Sequence, residues 1–295
     1  MKFKTEPVLM SIADGEIFLA TLEGCFGWSK ELNLPSIIYD SGLSRMLVVG
    51  IGENVATIGQ WLPTMKTWIP NSGKAVMEIP VFSGKASALT ASKDNLWVAG
   101  ADIDKSHGSI SKKDHVPLLE EKIMELSPSG QMVQLKTGPI GRVNHICGGK
   151  GWLLFTEKDK PGKISLIKNE KIESLSFPGG LLTATARQGD KVVLGSQKGF
   201  WNFDPTTLKF ELVAKSKDDE PAPLFICICG EKIFSATSKG VFDIYNKNEI
   251  GRVGQQPYAL TCNGESLLIL WQKGELEQWN TKTNKLENSL ITLIE

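Results

Sequence analysis

Short apolar runs alternate with small polar turns along the chain. Within most runs, apolar and polar residues alternate one by one, which is typical of β-strands because successive side chains point to opposite faces. Glycine, asparagine, aspartate and lysine fill the turns, and the first three tolerate the positive φ that tight hairpins require. The pattern therefore predicts an all-β chain built from hairpins and excludes a helical repeat.

One hairpin pattern recurs seven times, each time as an apolar run, a polar turn and a second apolar run. The first apolar residues after the seven turns are Ile17, Val55, Leu96, Trp152, Val192, Ile233 and Leu267. They recur at an average of about 42 residues, which matches the ~40–45 residues of a four-stranded propeller blade. A second turn with glycine, as at Lys198-Gly199, leads into the third strand of several units.

The period and the chain length together predict one domain, residues 1–295, folded as an all-β, seven-bladed β-propeller of four-stranded antiparallel blades. The blades are predicted to start near residues 8, 44, 87, 143, 182, 223 and 257. We expect the first strand of each blade to be innermost and the last blade to close against the first, which would bring Met1–Glu6 near Asn288–Glu295. A β-sandwich has similar short strands, but it needs only about 100 residues, so this chain would have to contain two or three.

Two segments resemble the end of a WD repeat, in which a tryptophan-aspartate pair closes the third strand and a Thr-Gly-Lys turn follows. In residues 267–285, LLILWQKGELEQWNTKTNK, Trp279-Asn280 takes the place of Trp-Asp, and residues 283–285 take the place of the turn. Phe203-Asp204 is a weaker copy in the fifth blade, while the Gly-His pair of the family is absent. The chain is therefore similar to divergent WD-repeat or quinoprotein-like propellers, and this resemblance implies the propeller architecture.

Charge and targeting signals exclude several classes of protein. The chain has 33 Lys and Arg against 33 Asp and Glu, so it is not a generally basic nucleic-acid binder. No apolar segment near the start has the length of a secretory signal, and no apolar stretch is long enough to cross a membrane. We therefore expect a cytoplasmic protein with no nucleic-acid or membrane partner.

Five cysteines are present, and most lie inside apolar, strand-like runs. We expect them to be buried thiols in a reducing compartment. Cys227 and Cys229 would point to one face of a strand, but two thiols without a second pair or a nearby histidine make a poor zinc site. The sequence therefore predicts no metal site and no cofactor.

The first strands of the blades should line the central channel, where an enzymatic propeller would carry its polar groups. None of the seven predicted strands contains a carboxylate, although a hard cation needs several oxygen ligands. The strongly polar long side chains there are Asn144, His145 and Arg187. His145 could act as a general base, but without a partner carboxylate we expect a channel-lining role. A lactonase-like hydrolase is thus the less favoured alternative.

Two segments interrupt the repeat. Residues 101–121 of blade three lengthen the interval from Leu96 to Trp152 to 56 residues, and we predict an inserted loop. Residues 60–70 of blade two contain two tryptophans, a methionine and two prolines where other blades have a bare glycine turn; a covered blade edge is the alternative interpretation. Both segments should join the second and third strands of adjacent blades and lie side by side on one rim. The predicted partner-binding residues are Trp61, Met65, Trp68, His107, His115, Leu118 and Leu119.

Propellers without a fused domain often serve as rigid platforms for proteins, and this analogy of fold provides the functional hypothesis. We expect a non-enzymatic protein-interaction platform, a monomeric propeller that binds another protein or peptide within a larger complex. A carbohydrate or small-ligand binder is the alternative. A carbohydrate binder would repeat one aromatic residue at the same place in every blade, whereas the tryptophans here occupy different strand positions.

Overall fold

Seven antiparallel β-sheets, each of four strands, make up most of the part of the chain that can be described. The computed structural model describes residues 9–13, 16–20, 24–28, 36–39, 46–61, 63–70, 72–107, 118–127, 130–135, 137–217, 219–252, 254–271 and 275–292. Within these ranges, one 3₁₀ turn at Lys105–His107 is the only helical segment, and no helix has the length and apolar character to span a bilayer. The segment Met1–Glu6, expected near the other end of the chain, lies outside the described residues.

Each sheet consists of four consecutive strands that pair in chain order. From blade one to blade seven, the strands are β1 (Leu9–Ala13), β2 (Glu16–Ala20), β3 (Cys25–Trp28) and β4 (Ser36–Tyr39); β5 (Met46–Ile51), β6 (Asn54–Gly59), β7 (Thr64–Ile69) and β8 (Lys74–Pro80); β9 (Lys85–Ala91), β10 (Leu96–Ala101), β11 (Lys122–Leu126) and β12 (Met132–Gln134); β13 (Val143–Gly149), β14 (Trp152–Glu157), β15 (Lys163–Lys168) and β16 (Lys171–Ser176); β17 (Ala184–Gln188), β18 (Lys191–Ser196), β19 (Gly199–Asp204) and β20 (Lys209–Lys215); β21 (Phe225–Cys229), β22 (Lys232–Thr237), β23 (Gly240–Asp243) and β24 (Glu249–Ile250); β25 (Pro257–Asn263), β26 (Ser266–Trp271), β27 (Glu275–Asn280) and β28 (Lys285–Thr292). The predicted all-β fold of seven four-stranded antiparallel blades is confirmed.

The first strands of the blades form the inner ring. Strand β1 contacts β5, β5 contacts β9, and the series continues through β13, β17, β21 and β25 back to β1. The last blade therefore closes against the first. Among the described residues no strand is shared between blades one and seven, since each sheet contains only consecutive strands.

Seven apolar clusters hold the ring together, one between each pair of neighbouring blades. Because the side chains of a strand alternate between two faces, consecutive residues of one strand join different clusters. In β14, Leu154 packs towards blade five together with Trp152, whereas Leu153 packs towards blade three together with Phe155. A strand with a blade on each side is therefore apolar at consecutive positions, and β14 is buried along its whole length.

In blades two to five, the fourth strand is more exposed than the second strand. In blade four, β16 has the sequence KIESLS and is exposed at almost every position. The fourth strands form the outer surface of the ring, so water solvates their backbone edges and polar side chains are tolerated there. Exposed apolar side chains of the described residues therefore lie both on fourth strands, such as Val76 and Leu212, and in the connections between strands, such as Trp61 and Leu118.

Residues 64–69 of blade two form a third strand, β7, so the expectation that residues 60–70 form a long connection between strands is wrong. Met65 is fully buried between blades two and three. Trp68 is 7% exposed, packs towards blade one and donates a hydrogen bond from Nε1 to Thr57 Oγ1 at 3.0 Å. Both faces of this strand are covered by neighbouring blades, which explains its large apolar side chains. Met65 and Trp68 are therefore core residues, and neither is exposed on the rim.

Candidate functional site

The connection between β10 and β11 in blade three carries the insertion. The chain leaves β10 at Ala101 and enters β11 at Lys122. Residues 108–117 lie outside the described residues, and so does the side chain of His107. The predicted roles of His107 and His115 in partner binding therefore stay predictions.

A polar network ties the base of this insertion to the segment that enters blade three. The Asp102 carboxylate accepts hydrogen bonds from the backbone N–H of Ser83 at 2.8 Å and from the Ser83 hydroxyl at 3.0 Å. Lys122 Nζ donates to the other carboxylate oxygen at 3.1 Å. Desolvation favours the protonated carboxyl, but these hydrogen bonds and the charge of Lys122 outweigh it and lower the pKa of Asp102. The two ends of the insertion are thus joined to each other and to blade three.

Leu118 and Leu119 are apolar residues at the returning end of the insertion. Leu118 forms an isolated antiparallel bridge with Ile103, and the N–H of Leu119 donates to the carbonyl oxygen of Asp102 at 3.0 Å. The two leucines are 39% and 46% exposed. Backbone pairing therefore holds two apolar side chains in solvent at a defined position.

Trp61 of blade two lies against blade three. Its backbone forms a β-bridge with Lys85, the first residue of β9, and the N–H of Ala86 donates to the carbonyl oxygen of Gln60 at 2.8 Å. Lys85 Nζ lies 5.6 Å from the centroid of the Trp61 ring, within the range of cation–π attraction. Trp61 is nevertheless 46% exposed. Blade three therefore fixes the position of the Trp61 indole, and much of the ring remains open to solvent.

Gly84 connects these two groups of residues. A Cβ atom on Gly84 would lie 2.9 Å from Leu118 Cδ2 and 2.5 Å from the carbonyl oxygen of Ala101, so Leu118 packs directly over this glycine. Since the next residue, Lys85, pairs with Trp61, the exposed tryptophan and the exposed leucines lie on one rim of blades two and three. We call this set the rim patch, and its members are Trp61, Lys85, Leu118 and Leu119.

The three polar residues predicted to line the channel lie on two inner strands. Asn144 is exposed and is the extra residue of a β-bulge between β13 and β14. Burial lowers the pKa of His145, although a hydrogen bond with the backbone of Leu182 opposes the shift. Arg187 donates to the carbonyl oxygen of Ala91 at 3.0 Å and thereby links blade five to blade three. At neutral pH, His145 is therefore an uncharged ring, and Arg187 makes structural contacts.

A carboxylate from outside the inner strands contacts the inner ring. The seven inner strands themselves contain no Asp or Glu. Glu121, at the end of the insertion, accepts hydrogen bonds from the Ser87 hydroxyl at 2.9 Å and from the N–H of Val143 at 2.7 Å. Burial raises the pKa of Glu121 despite these hydrogen bonds. Glu121 thus joins blade three to blade four. Both partners are distant from Glu121 in the chain, so no local pattern in the sequence indicates this role.

A cavity of about 250 Å³ lies between blades five and six. Its walls include the apolar residues Phe200 and Ile244 and the exposed Lys239. Ser235 also lines the cavity; it is 3% exposed, and its hydroxyl has no hydrogen-bond partner in the described part of the chain. Buried polar groups are nearly always paired, so this unpaired hydroxyl is unusual. The sequence contains no local motif that points to this cavity.

The closed ring of seven four-stranded blades defines a seven-bladed β-propeller. Its fold is similar to that of Sqt1 from Saccharomyces cerevisiae, a WD-repeat protein, with a TM-score of 0.63 and 10% sequence identity over 98% of this chain and 86% of Sqt1. The computationally designed Ika8 protein is similar with a TM-score of 0.62 and 15% identity, over 97% of this chain and 87% of Ika8. No family model and no curated protein match the sequence. At these identities the likeness concerns the fold alone.

Proposed function

We propose that the protein is a non-enzymatic platform that binds another protein or peptide through the rim patch. The observation that carries the proposal is the placement of Trp61, Leu118 and Leu119, each at least 39% exposed, on a rim whose backbone is fixed by pairing. Binding hot spots are enriched in tryptophan and lie among neighbouring groups that exclude water. Because the rim backbone is already ordered, little of the binding free energy is lost to ordering it.

The inner ring supports the non-enzymatic part of the proposal. The His145 ring bonds to the backbone of Leu182, and no carboxylate among the described residues is its partner, which argues against a carboxylate-supported general base there. The likeness to Sqt1 supports a platform only through the shared fold. A cytoplasmic location and a single propeller within a hetero-complex are part of the same proposal, and both rest on the sequence.

Site-specific photo-crosslinking tests the rim patch. A benzoylphenylalanine residue replaces Trp61 in one variant and Leu212 in the control variant, because Leu212 is 53% exposed on β20 of blade five, away from the patch. We expect a defined crosslinked protein or peptide from position 61 and none from position 212. Equal crosslinking from both positions would contradict the proposal.

The affinity of the identified partner then measures the energy of the patch. Truncating one hot-spot side chain typically costs about 2 kcal/mol of binding free energy, which corresponds to roughly thirtyfold in Kd. Trp61→Ala and Leu118→Ser should each weaken binding by about this factor, while Leu212→Ser should not. Circular dichroism verifies that each variant is folded. Unchanged Kd values for both rim variants would place the partner on another face.

The cavity between blades five and six favours a second candidate function, the binding of a small ligand. Its volume of about 250 Å³ is close to the lower limit of ~300 Å³ for ligand pockets. Phe200 and Ile244 suit the apolar body of a ligand, and three lysines line the cavity against two acidic residues, which favours an anionic group. One of these lysines, Lys239, also donates from Nζ to the carbonyl oxygen of Asp219 at 3.5 Å. Thermal unfolding in the presence of small carboxylates and phosphates tests this function. A rise in Tm should be abolished by Ser235→Ala and retained by the exposed control Ser174→Ala.

A further inference from the structure

Three cysteines from two neighbouring blades lie together at the inner ring. Cys227 and Cys229 belong to β21 of blade six, and Cys262 belongs to β25 of blade seven. Their three Sγ atoms lie within 4.8 Å of one another. Cys229 and Cys262 form a disulfide with their Cα atoms 5.7 Å apart, and Cys227 Sγ lies 3.9 Å from Cys229 Sγ. The expectation that all cysteines are reduced thiols is therefore wrong for Cys229 and Cys262.

The repeat explains why these residues meet. Cys229 is the last residue of β21 before the first hairpin turn of blade six, whereas Cys262 lies one position earlier in β25, because Asn263 separates it from the turn at Gly264. Neighbouring positions of a strand point to opposite faces, so this offset of one residue lets Cys229 point towards blade seven and Cys262 towards blade six. Cys227 lies two residues before Cys229 and therefore on the same face of β21. Cys227 and Cys229 alone make a poor zinc site, but the next repeat supplies a third sulfur.

Apolar side chains enclose most of this cysteine cluster. Cys227 and Cys229 are 6% and 4% exposed and pack with Phe234 and Leu260, while Cys262 is partly exposed. Burial raises the pKa of the Cys227 thiol. Over the ranges that the structure describes, no histidine or carboxylate joins the three cysteines. The potential ligands are therefore sulfur atoms in a mostly dry environment.

We propose that the three cysteines bind one copper(I) ion when the disulfide is reduced. Soft thiolate ligands favour soft cations such as copper(I), and copper(I) is stable with three sulfur ligands, whereas structural zinc sites use four ligands. A metal about 2.3 Å from each of three sulfurs in a plane places those sulfurs about 4 Å apart. The Cys227–Cys229 separation of 3.9 Å already meets this requirement, so only the disulfide pair has to separate.

The cluster has two states that differ by two electrons. In the disulfide state, Cys227 is the single free thiol of the cluster. A dithiol reductant transfers two electrons and two protons to the Cys229–Cys262 bond, becomes a disulfide itself and leaves three thiols. Copper(I) then displaces the three thiol protons, which pass to solvent, and the oxidation state of copper does not change. The cluster therefore binds copper(I) under reducing conditions and forms the interblade disulfide under oxidising conditions.

Titration of the reduced, full-length protein with copper(I) tests this proposal. The protein is reduced with a dithiol, freed of reductant under argon and titrated with copper(I) in competition with a chromophoric copper(I) chelator. We expect one copper ion per chain and an ultraviolet sulfur-to-copper charge-transfer band. Cys227→Ala should weaken binding by at least about tenfold, since even indirect support of a metal is worth that factor. Cys147→Ala, which removes a buried thiol of another cluster, should leave the affinity unchanged.

Two further measurements make the outcome decisive. Thiol titration of the unfolded protein should give three free thiols before reduction and five after it, and X-ray absorption at the copper edge should show three sulfur neighbours. Equal affinity of the wild-type protein and Cys227→Ala would overturn the proposal. So would failure of the reduced, folded protein to compete with the chelator, or binding of zinc in preference to copper(I). Cys227→Ser replaces Cys227→Ala if the alanine variant does not fold.

Discussion

Shortening two consecutive valines of one strand tests the conclusion that each blade is buried on both faces. Val192 and Val193 are neighbours in β18 and are 1% and 0% exposed. Val192 belongs to the cluster between blades four and five, whereas Val193 belongs to the cluster between blades five and six. We therefore expect Val192→Ala and Val193→Ala to destabilise the protein by similar amounts, although the two side chains point in opposite directions.

The magnitude follows from the groups that are removed. Each change deletes two methyl groups from a buried site, at ~0.8 kcal/mol for each buried carbon. The cavity that remains adds to this cost, so each variant should lose about 2 kcal/mol of free energy of unfolding. Since Val192 and Val193 belong to separate clusters, the double variant should lose about 4 kcal/mol. Val76→Ala makes the same change at a residue that is 59% exposed on β8 and should lose less than about 0.5 kcal/mol.

Equilibrium unfolding in urea, followed by tryptophan fluorescence, measures these free energies. The dependence of the free energy on urea should be the same in all variants, because the surface exposed on unfolding hardly changes. If Val192→Ala or Val193→Ala were as stable as Val76→Ala, one face of β18 would be open to solvent, and the blade arrangement would be refuted. A loss in the double variant far below the sum would refute the separation into two clusters.

Two further substitutions probe single contacts. Asp102→Asn should destabilise the protein near pH 7, because folding lowers the pKa of Asp102 through Ser83 and Lys122 and so stabilises the ionised form. This stabilisation is fully present above 3.8, the ordinary pKa of the carboxyl group, and is lost as the pH falls through the lowered pKa of the folded protein. The unfolding curves of variant and wild type should therefore converge below that lowered pKa. Trp68→Phe keeps the apolar contact but leaves the buried Thr57 Oγ1 without its donor, and it should cost about 1–2 kcal/mol. In a double-mutant cycle, adding Thr57→Val should recover part of that loss.

The repeat of the fold could be recognised because its turns have local chemistry. Each first hairpin turn needs small or polar residues, and a positive φ such as the 60° of Gly230 favours glycine. Because each tight turn reverses the chain, the apolar runs on either side of it could be interpreted as paired antiparallel strands. Seven such turns at a nearly constant spacing were enough to predict the number of blades and their antiparallel strands.

The candidate site was harder to predict from the sequence, because its contacts join different blades. The sequence indicates that Trp61 and Leu118 are unusual, but it does not reveal that Lys85 and Gly84 bring them together. Strand β7 was missed for a related reason. A strand covered on both faces has no simple inside–outside alternation, so prolines near its ends and large apolar residues within it resemble an irregular loop. The meeting of cysteines from adjacent blades depends on the same kind of long-range register.

The junction between blades one and seven has a mechanical consequence. Every other pair of neighbouring blades is also joined by the chain, whereas this pair is held by the packing of side chains such as Leu19, Phe26 and Leu270. No strand among the described residues crosses this junction. We therefore expect small rotations at the other interfaces to widen the gap between blades one and seven while every sheet keeps its backbone hydrogen bonds. Opening of the central channel would then occur at this junction, and the disulfide between blades six and seven would restrain the ring on one side of it.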